Sequence, residues 1–347
     1  MIRKIKFGVI GLGHIGTKHV DAIIKNPHSE LTAVADKLLF KDLEKKRNKD
    51  LSFLKKYKFY NNLNDIFQDP NIDVLNICTP NGLHYEMAKK SITNGKHILI
   101  EKPMTLNSKH AHSLVEHAKK NNKFVFCVMQ NRFSPTIMWL KKIIDQRRLG
   151  RVFSVHVNCF WNRNKNYYES SDWHGKLDLD GGPLFTQFSH FIDILYWLFG
   201  EFVNINAQFN KFRKSEYIDF EDSGILSFDF SSGPKGTLNY STSIWEKNFE
   251  SSIIVTAEKG TVKIGGQYMD ELQYCHIENY KQPTFETGVS CNDYGTYQGS
   301  AANHAKVIEN IINVILHNGK IATSGEEGSK IVEIIEKIYS FRKKLKK

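Results

Sequence analysis

The chain has 347 residues, 41% apolar and 24% charged, which is the make-up of a globular protein large enough for two cores. Its formal charge of +11 comes from lysines and arginines spread along the chain without zinc-finger or basic-zipper spacing. This argues against nucleic acid and suits an anionic small molecule. No apolar run approaches the ~18 residues of a membrane span, no signal segment precedes the first strand pattern, and the five cysteines show no Cys-x-x-Cys spacing. A cytoplasmic protein without a membrane partner is expected.

Taken in order, Ile5–Ile10 reads as a short strand, followed directly by Gly11-Leu12-Gly13-His14-Ile15-Gly16 and a helix to about Ile24. This is the G-x-G-x-x-G fingerprint in its required strand-turn-helix context, where a pyrophosphate sits on the helix N-terminus. A second strand, Leu31–Ala35, ends in Asp36, placed to accept from the adenosine ribose hydroxyls and to repel a 2′-phosphate; NAD is therefore expected. Residues 41–50 read as a charged helix. Asp73–Cys78 is a buried strand ending in Thr79-Pro80-Asn81, with His84 opening the next helix. His97–Ile100 is another, delivering Glu101-Lys102-Pro103. Lys102 stands where the two halves of the chain would meet. Ligands of doubly wound sheets bind beyond the carboxyl ends of the strands, which puts these residues on the cofactor side.

The helix Lys109–Asn121 carries His110, His112 and His117 without metal-ligand spacing, so no metal is expected. Lys123–Met129 is a further strand, delivering Gln130-Asn131-Arg132-Phe133. A helix from Pro135 to about Gln146 then leads out of the first domain. A boundary at residues 128/129 gives an NAD-binding domain, 1–128, and a domain for substrate and oligomerisation, 129–347. In the second half, Phe153–Phe160 alternates with period two. Later strand patterns are Gly224–Phe230, Gly236–Ser243, Ser252–Ala257 and Gly260–Ile264. The fold class is thus α/β: an N-terminal doubly wound parallel (Rossmann) sheet, then an α/β domain with a large open, mainly antiparallel sheet.

Between the first strands of that half lie Tyr167-Tyr168, Trp173-His174-Gly175 and Asp180-Gly181-Gly182, then one helix from Leu184 to Phe199. Thr186, Gln187, His190 and Asp193 fall on one polar face, either solvated or facing a ligand in the space left by the glycines. The terminal helix starts at Ser324 with Glu327 as its capping box. The basic run from Arg342 closes it as a solvated end.

The order of these motifs resembles the glucose-fructose oxidoreductase / inositol dehydrogenase / rhizopine-catabolism (Gfo/Idh/MocA) family over essentially the whole chain. The resemblance implies a sugar-hydroxyl dehydrogenase with a tightly held nicotinamide cofactor. It implies a cofactor surface of Gly11, Gly13, His14, Ile15, Gly16, Asp36, Thr79, Pro80, Asn81, His84, Glu101, Lys102, Pro103 and Gln130. More narrowly, Gln130–Phe133, Trp161-Asn162-Arg163, Tyr167-Tyr168, Asp180-Gly181-Gly182 and Gln187-x-x-His190 are similar to WlbA-type dehydrogenases. Those act at C3 of UDP-N-acetylglucosamine or its uronate ahead of amination, in making surface polysaccharide. The chain departs from the pattern at Thr186, where the wider family has aspartate and many WlbA-like chains asparagine, and at His174, where many of the latter have arginine.

Oxidising a secondary alcohol needs a base for the hydroxyl proton, and Lys102 and His190 are the two candidates. Arg163 is the expected diphosphate contact. Tyr167, Tyr168 and Trp173 either pack on the sugar or uracil or belong to the core. Asn131, Thr186 and Gln187 complete the expected substrate contacts. Other readings are a dehydrogenase of a free sugar or inositol, and a non-catalytic NAD sensor. The open sheet leaves a face to cover, as a dimer or tetramer would.

Overall fold

The structure is a computed structural model that describes residues 3–47, 50–213, 216–285, 291–293 and 298–342. The chain forms two compact units. One comprises Met1–Val128 with His304–Val332, the other Met129–Asn303 with Glu333–Lys347. The first unit therefore takes in a late segment that the sequence placed with the second half.

In the first unit, β1 (Ile5–Ile10), β2 (Ser29–Ala35), β3 (Lys58–Tyr60), β4 (Val74–Ile77), β5 (His97–Ile100) and β6 (Val125–Cys127) form one sheet in the order β3-β2-β1-β4-β5-β6. Every pairing in it is parallel. This is the doubly wound order, and its switch point lies between β1 and β4. Helices α1 (His14–Lys25), α2 (Phe40–Arg47), α3 (Leu63–Gln68), α4 (His84–Thr93) and α5 (Ser108–Lys120) connect the strands. Strand β4 is buried along its whole length and reads Val-Leu-Asn-Ile, so Asn76 is its single polar member. Strand β3 was not expected; it is an edge strand whose residues are all partly exposed.

In the second unit, α6 (Pro135–Asp145) is followed by β7 (Val152–Phe160) and α7 (Lys165–Glu169). Then come α8 (Pro183–Thr186), α9 (Ser189–Phe199), β8 (Phe202–Asn210), β9 (Ser223–Phe230), β10 (Lys235–Ser241), β11 (Glu250–Ala257), β12 (Gly260–Gly265) and β13 (Glu271–Ile277). The seven strands order as β13-β12-β11-β7-β10-β9-β8. Only β7 and β10 pair in parallel, so the sheet is mainly antiparallel, as expected. A short hairpin, β14 (Cys291–Asp293) with β15 (Gln298–Ala301), precedes α10 (His304–His317) and α11 (Gly325–Tyr339).

One cross-strand row, Leu226, Leu238, Val157, Ile253 and Ile264, is wholly buried. Each such side chain stabilises the fold by roughly 1.5–3 kcal/mol relative to exposure. Helix α9 covers this face: Phe188 and Phe191 lie 5.4 and 5.8 Å from the Trp161 ring, and Phe188 lies 5.1 Å from Tyr240. The neighbouring row, Ser227, Thr237, His156, Ile254, Lys263 and Tyr274, is exposed or half-exposed and forms the sheet's open face. Among the described residues, no helix is long and apolar enough to cross a membrane.

Two corrections follow from packing. The helix expected over Leu184–Phe199 breaks into α8 and α9 at Gln187–Phe188. Of the basic run expected as a solvated end, Arg342 is engaged internally, and residues 343–347 lie outside the described residues. Arg342 stacks on Tyr339 at 3.8 Å and pairs with Glu221, whose carboxylate is fully buried and also accepts from Tyr240 Oη at 2.9 Å. Tyr339 Oη in turn accepts from Leu184 N at 3.0 Å, anchoring the start of α8. A Cβ at Gly182, which has φ +111°, would lie 2.6 Å from that hydroxyl.

Burial raises the Glu221 pKa even with Arg342 beside it. Arg342→Ala strands the carboxylate and is expected to cost about 3 kcal/mol or more. A carboxyl whose folded pKa is raised contributes its stability below the unfolded value of ~4.3 and loses it as pH rises through the folded value. The melting deficit of this variant is therefore expected to be larger at pH 8 than at pH 5. Equal deficits at the two pH values would contradict the assignment.

Candidate active site

The sequence-identified residues of the first unit gather beyond the carboxyl ends of β1, β2, β4 and β5. The three fingerprint glycines do three different jobs. Gly11 has φ +89°, and a Cβ there would meet Cys78 O at 2.6 Å, so it allows the β1–α1 turn to lie against the end of β4. A Cβ at Gly16 would sit 1.8 Å from Gly11 O, so it allows α1 to close on its own turn. At Gly13 a Cβ would meet nothing within 4 Å. That open space beside the first-turn N–H groups of α1 is where a pyrophosphate fits. Gly13 and His14 are exposed and Ile15 is half-exposed.

Asp36 does more than expected. Its Oδ2 accepts from Leu12 N at 2.8 Å and its Oδ1 from Leu38 N at 3.0 Å. It therefore straps the glycine loop to the end of β2, and each oxygen keeps lone-pair capacity for a ribose hydroxyl. Thr79 and Pro80 are half-exposed, and Thr79 Oγ1 is a buried atom without a hydrogen-bond partner. Asn81 is buried. An orphaned hydroxyl and the open cradle at Gly13 both fit a dinucleotide.

Two expected cofactor contacts turn inward instead. His84 is fully buried, with Nδ1 2.8 Å from Pro103 O and Nε2 2.9 Å from Thr79 O. It braces the loop after β4 against the loop after β5. Burial lowers its pKa against the pull of the two carbonyls. Glu101 is also buried: its Oε1 lies 2.7 Å from His19 Nε2, and its Oε2 accepts from Lys102 N at 3.1 Å. Both residues hold the loops on which the other cofactor candidates stand. The Lys102–Pro103 peptide is cis, Pro103 is buried and Lys102 is half-exposed.

In the second unit the helix pair α8–α9 carries the other candidates. His190 is 1% exposed and Asp193 fully buried, so the polar face is not solvated. Asp193 pairs bidentately with Arg132, which donates from Nε at 2.9 Å and Nη2 at 2.6 Å. The pair ties the turn Gln130–Phe133 to α9, bringing Gln130 and Asn131 to the helix of His190. Asn131 Oδ1 is buried and lacks a hydrogen-bond partner. Asn303 donates to Gln130 O at 3.2 Å.

Arg163, the candidate diphosphate contact, is held inside the protein by several partners. It is 1% exposed and stacks on Trp161 at 4.9 Å and on Tyr167 at 5.2 Å. It donates from Nε to Gln187 Oε1 at 2.9 Å, and from Nη1 to Asn162 O at 2.6 Å and Asn248 Oδ1 at 3.2 Å. Gln187 then donates to Tyr167 Oη at 2.6 Å. Tyr167 and Tyr168 sit in a core cluster with Ile218 and Phe220, and burial raises the Tyr168 pKa. They are packing residues. Trp173 is half-buried, its ring 4.1 Å from His174, which stacks on Tyr167 at 4.3 Å. Thr186 Oγ1 donates to Asp180 O at 2.8 Å and to the Asp180 carboxylate, which holds the turn before α8. The sequence offered no cue for Asn248 or for the Arg132–Asp193 pair, whose members lie far apart in the chain.

The family model for the oxidoreductase family, NAD-binding Rossmann fold, matches residues 5–129, and that for the GFO/IDH/MocA C-terminal domain matches residues 137–263. The chain belongs to the Gfo/Idh/MocA family of NAD-binding oxidoreductases. It is similar to the WlbA dehydrogenase of Chromobacterium violaceum, solved with NADH and UDP-GlcNAcA, at 30% identity and TM-score 0.84, covering 98% of this chain and 94% of that one. The WlbA dehydrogenase of Bordetella pertussis, in complex with the same two ligands, gives 29% identity and TM-score 0.84 over 98% and 96% of the two chains. The levoglucosan dehydrogenase of Pseudarthrobacter phenanthrenivorans is 24% identical over 299 residues, 78% of this chain and 76% of that one. The protein is therefore an NAD-dependent oxidoreductase, as the fingerprint and Asp36 implied.

Asp36→Ser removes both the Leu12 strap and the ribose acceptor. The Kd for NAD is expected to rise at least about tenfold, since hydrogen bonds to a charged group contribute ~1.5–3 kcal/mol each. The preference for NAD over NADP is expected to shrink with it; titration calorimetry with both dinucleotides checks this.

Proposed function

We propose that the protein oxidises the C3 hydroxyl of a UDP-linked N-acetylhexosamine, or of its uronate, using NAD. The observation that carries this reading is the likeness over 98% of the chain to two dehydrogenases solved with UDP-GlcNAcA. Bound NAD supplies the hydride acceptor. Lys102 Nζ holds the substrate hydroxyl and the His190 imidazole relays its proton. Gly11, Gly13, Gly16 and Asp36 hold the dinucleotide, with Thr79 Oγ1 as a further contact. Asn131, whose buried Oδ1 lacks a partner, and Gln187, oriented by Arg163 and Tyr167, are the sugar contacts. Trp173, half-buried, is the aromatic wall. The open sheet face is proposed to pack against a second copy in a dimer or tetramer, and the protein to work in the cytoplasm.

A second reading, a dehydrogenase of a free sugar or inositol, draws on two observations. Arg163 is committed inside the protein, and a levoglucosan dehydrogenase is among the relatives. Screening UDP-GlcNAc, UDP-GlcNAcA, levoglucosan and inositols by single-turnover NADH absorbance decides between the two. A UDP-sugar is expected to react, and Lys102→Met to bind NAD normally while losing at least about 10³-fold in rate. Turnover of free polyols alone would select the second reading. Wild-type activity in Lys102→Met would remove Lys102 from the chemistry.

A further inference from the structure

Below the loop that carries Lys102, four polar side chains meet in the interior of the first unit. They come from four elements: His19 from α1, Asn76 from β4, Glu101 from the end of β5 and His304 from the start of α10. Asn76 and His19 are fully buried, and Glu101 and His304 are 6% and 4% exposed. A buried polar cluster is costly unless its donors and acceptors match, so the direction of each hydrogen bond can be worked out.

Asn76 Nδ2 lies 3.3 Å from His19 Nδ1 and in this orientation donates to it, leaving Asn76 Oδ1 buried without a hydrogen-bond partner. The His19 proton is then on Nε2, 2.7 Å from Glu101 Oε1, and donates to it. Glu101 Oε2 accepts the backbone N–H of Lys102 at 3.1 Å. The relay therefore runs one way, Asn76 to His19 to Glu101, and the carboxylate closes it on the Lys102 backbone. Burial pushes the Glu101 pKa up, but the histidines outweigh it and hold the carboxyl well below the ordinary range, so it stays an acceptor. His304 packs edge-on to His19 at 5.1 Å, with its Nε2 3.7 Å from Glu101 Oε1. Burial lowers the His304 pKa, which keeps that ring neutral.

We propose that His19 and Glu101, backed by Asn76 and His304, are positioning residues that fix the backbone of Lys102 for hydride transfer. This rests on the reading that Lys102 meets the substrate hydroxyl. Neither His19 nor Glu101 need touch substrate to matter, because a misplacement of ~1 Å at a reacting group costs about 10²-fold in rate.

The same three groups, His19, Glu101 and His304, offer ligand atoms within 4.8 Å of one another, as a metal site would. The spacing favours a proton instead. Two ligands of a tetrahedral zinc at ~2.0–2.1 Å lie about 3.3 Å apart, whereas His19 Nε2 and Glu101 Oε1 are 2.7 Å apart.

Two measurements test the relay. The first needs no substrate: in histidine-ring ¹⁵N spectra, with His19 assigned by its loss in His19→Phe or His19→Gln, the ring is expected as the neutral Nε2–H tautomer. An Nδ1–H tautomer overturns the proposal, and so does a stoichiometric metal in the purified protein. The second is single-turnover kinetics with NAD and UDP-GlcNAcA. Glu101→Gln keeps the shape but cannot accept from both His19 and Lys102 N. It is expected to cut kcat 10- to 100-fold, with KM for the sugar and Kd for NAD within threefold of wild type. His19→Gln, which restores a donor near the Nε2 position, is expected to retain more activity than His19→Phe, which keeps only the ring shape. Should His19→Phe not fold, Glu101→Gln and His19→Gln decide. The reverse order, or unchanged kcat in Glu101→Gln, overturns the proposal. On a Lys102→Met background, Glu101→Gln is expected to add nothing. Wild-type activity in Lys102→Met itself would instead overturn the assignment of Lys102, which separates the two failures.

Discussion

A carboxylate taken out of water has to be surrounded by donors, and this molecule places its buried and half-buried carboxylates where loops must be held. Asp36 receives the N–H groups of Leu12 and Leu38 and so shapes the glycine turn. Glu101 receives His19 and the N–H of Lys102 at the end of β5. Asp193 receives both prongs of Arg132 and so fixes the turn of Gln130 and Asn131 to the helix of His190. Glu221 receives Tyr240 beside Arg342, whose neighbour Tyr339 anchors the start of α8. In each case the carboxylate spends acceptors on the scaffold; Asp36 keeps capacity for a proposed ligand, and Glu101 and Asp193 hold segments whose other residues are proposed to face one. Removing such a partner leaves a charge with nowhere to go, so each position is expected to be far less tolerant than its distance from the chemistry suggests.

Much of the fold was readable because buried strands leave a strong pattern. Ile5–Ile10 and His97–Ile100 match their expected bounds residue for residue, since an apolar run between glycine and turn residues has few other solutions. The strands that escaped notice are β3, β8 and β13, all edges of their sheets, and the two of the short hairpin, β14 and β15. An edge strand exposes most of its side chains: in Phe202–Asn210 only Phe202 is buried, although apolar and polar residues alternate strictly from Val203 to Asn210. The break of the expected helix at Gln187 falls where Arg163 and Tyr167, distant in the chain, hold the Gln187 side chain, a contact no local spacing records.

The site was legible as a set of motifs but not as a set of roles. Residue type and position brought together the glycine turn, Asp36, Thr79 and Lys102 on one rim of the parallel sheet. The same cues could not separate a side chain that meets a ligand from one that holds a loop. His84, Glu101, Arg163, Tyr167 and Tyr168 all have the chemistry of ligand contacts, and all are buried among protein partners. Their partners are carbonyls, rings and amides from distant segments, which no local spacing records. What remains exposed or half-exposed is smaller and more specific: the open cradle at Gly13, Thr79, Lys102 and the half-buried Trp173.

That division of labour describes a dehydrogenase whose reacting groups are few and whose supporting network is extensive. Its central claim concerns one bond, the C3–H bond of a UDP-linked N-acetylhexosamine. The most direct measurement is to mix the protein and NAD with UDP-GlcNAc or UDP-GlcNAcA carrying deuterium at C3 and to analyse the reduced dinucleotide. The account predicts one deuterium at C4 of the nicotinamide and a 3-keto sugar in equal amount. Unlabelled NADH, formed by oxidation at another carbon, or no NADH from either UDP-sugar, would contradict it.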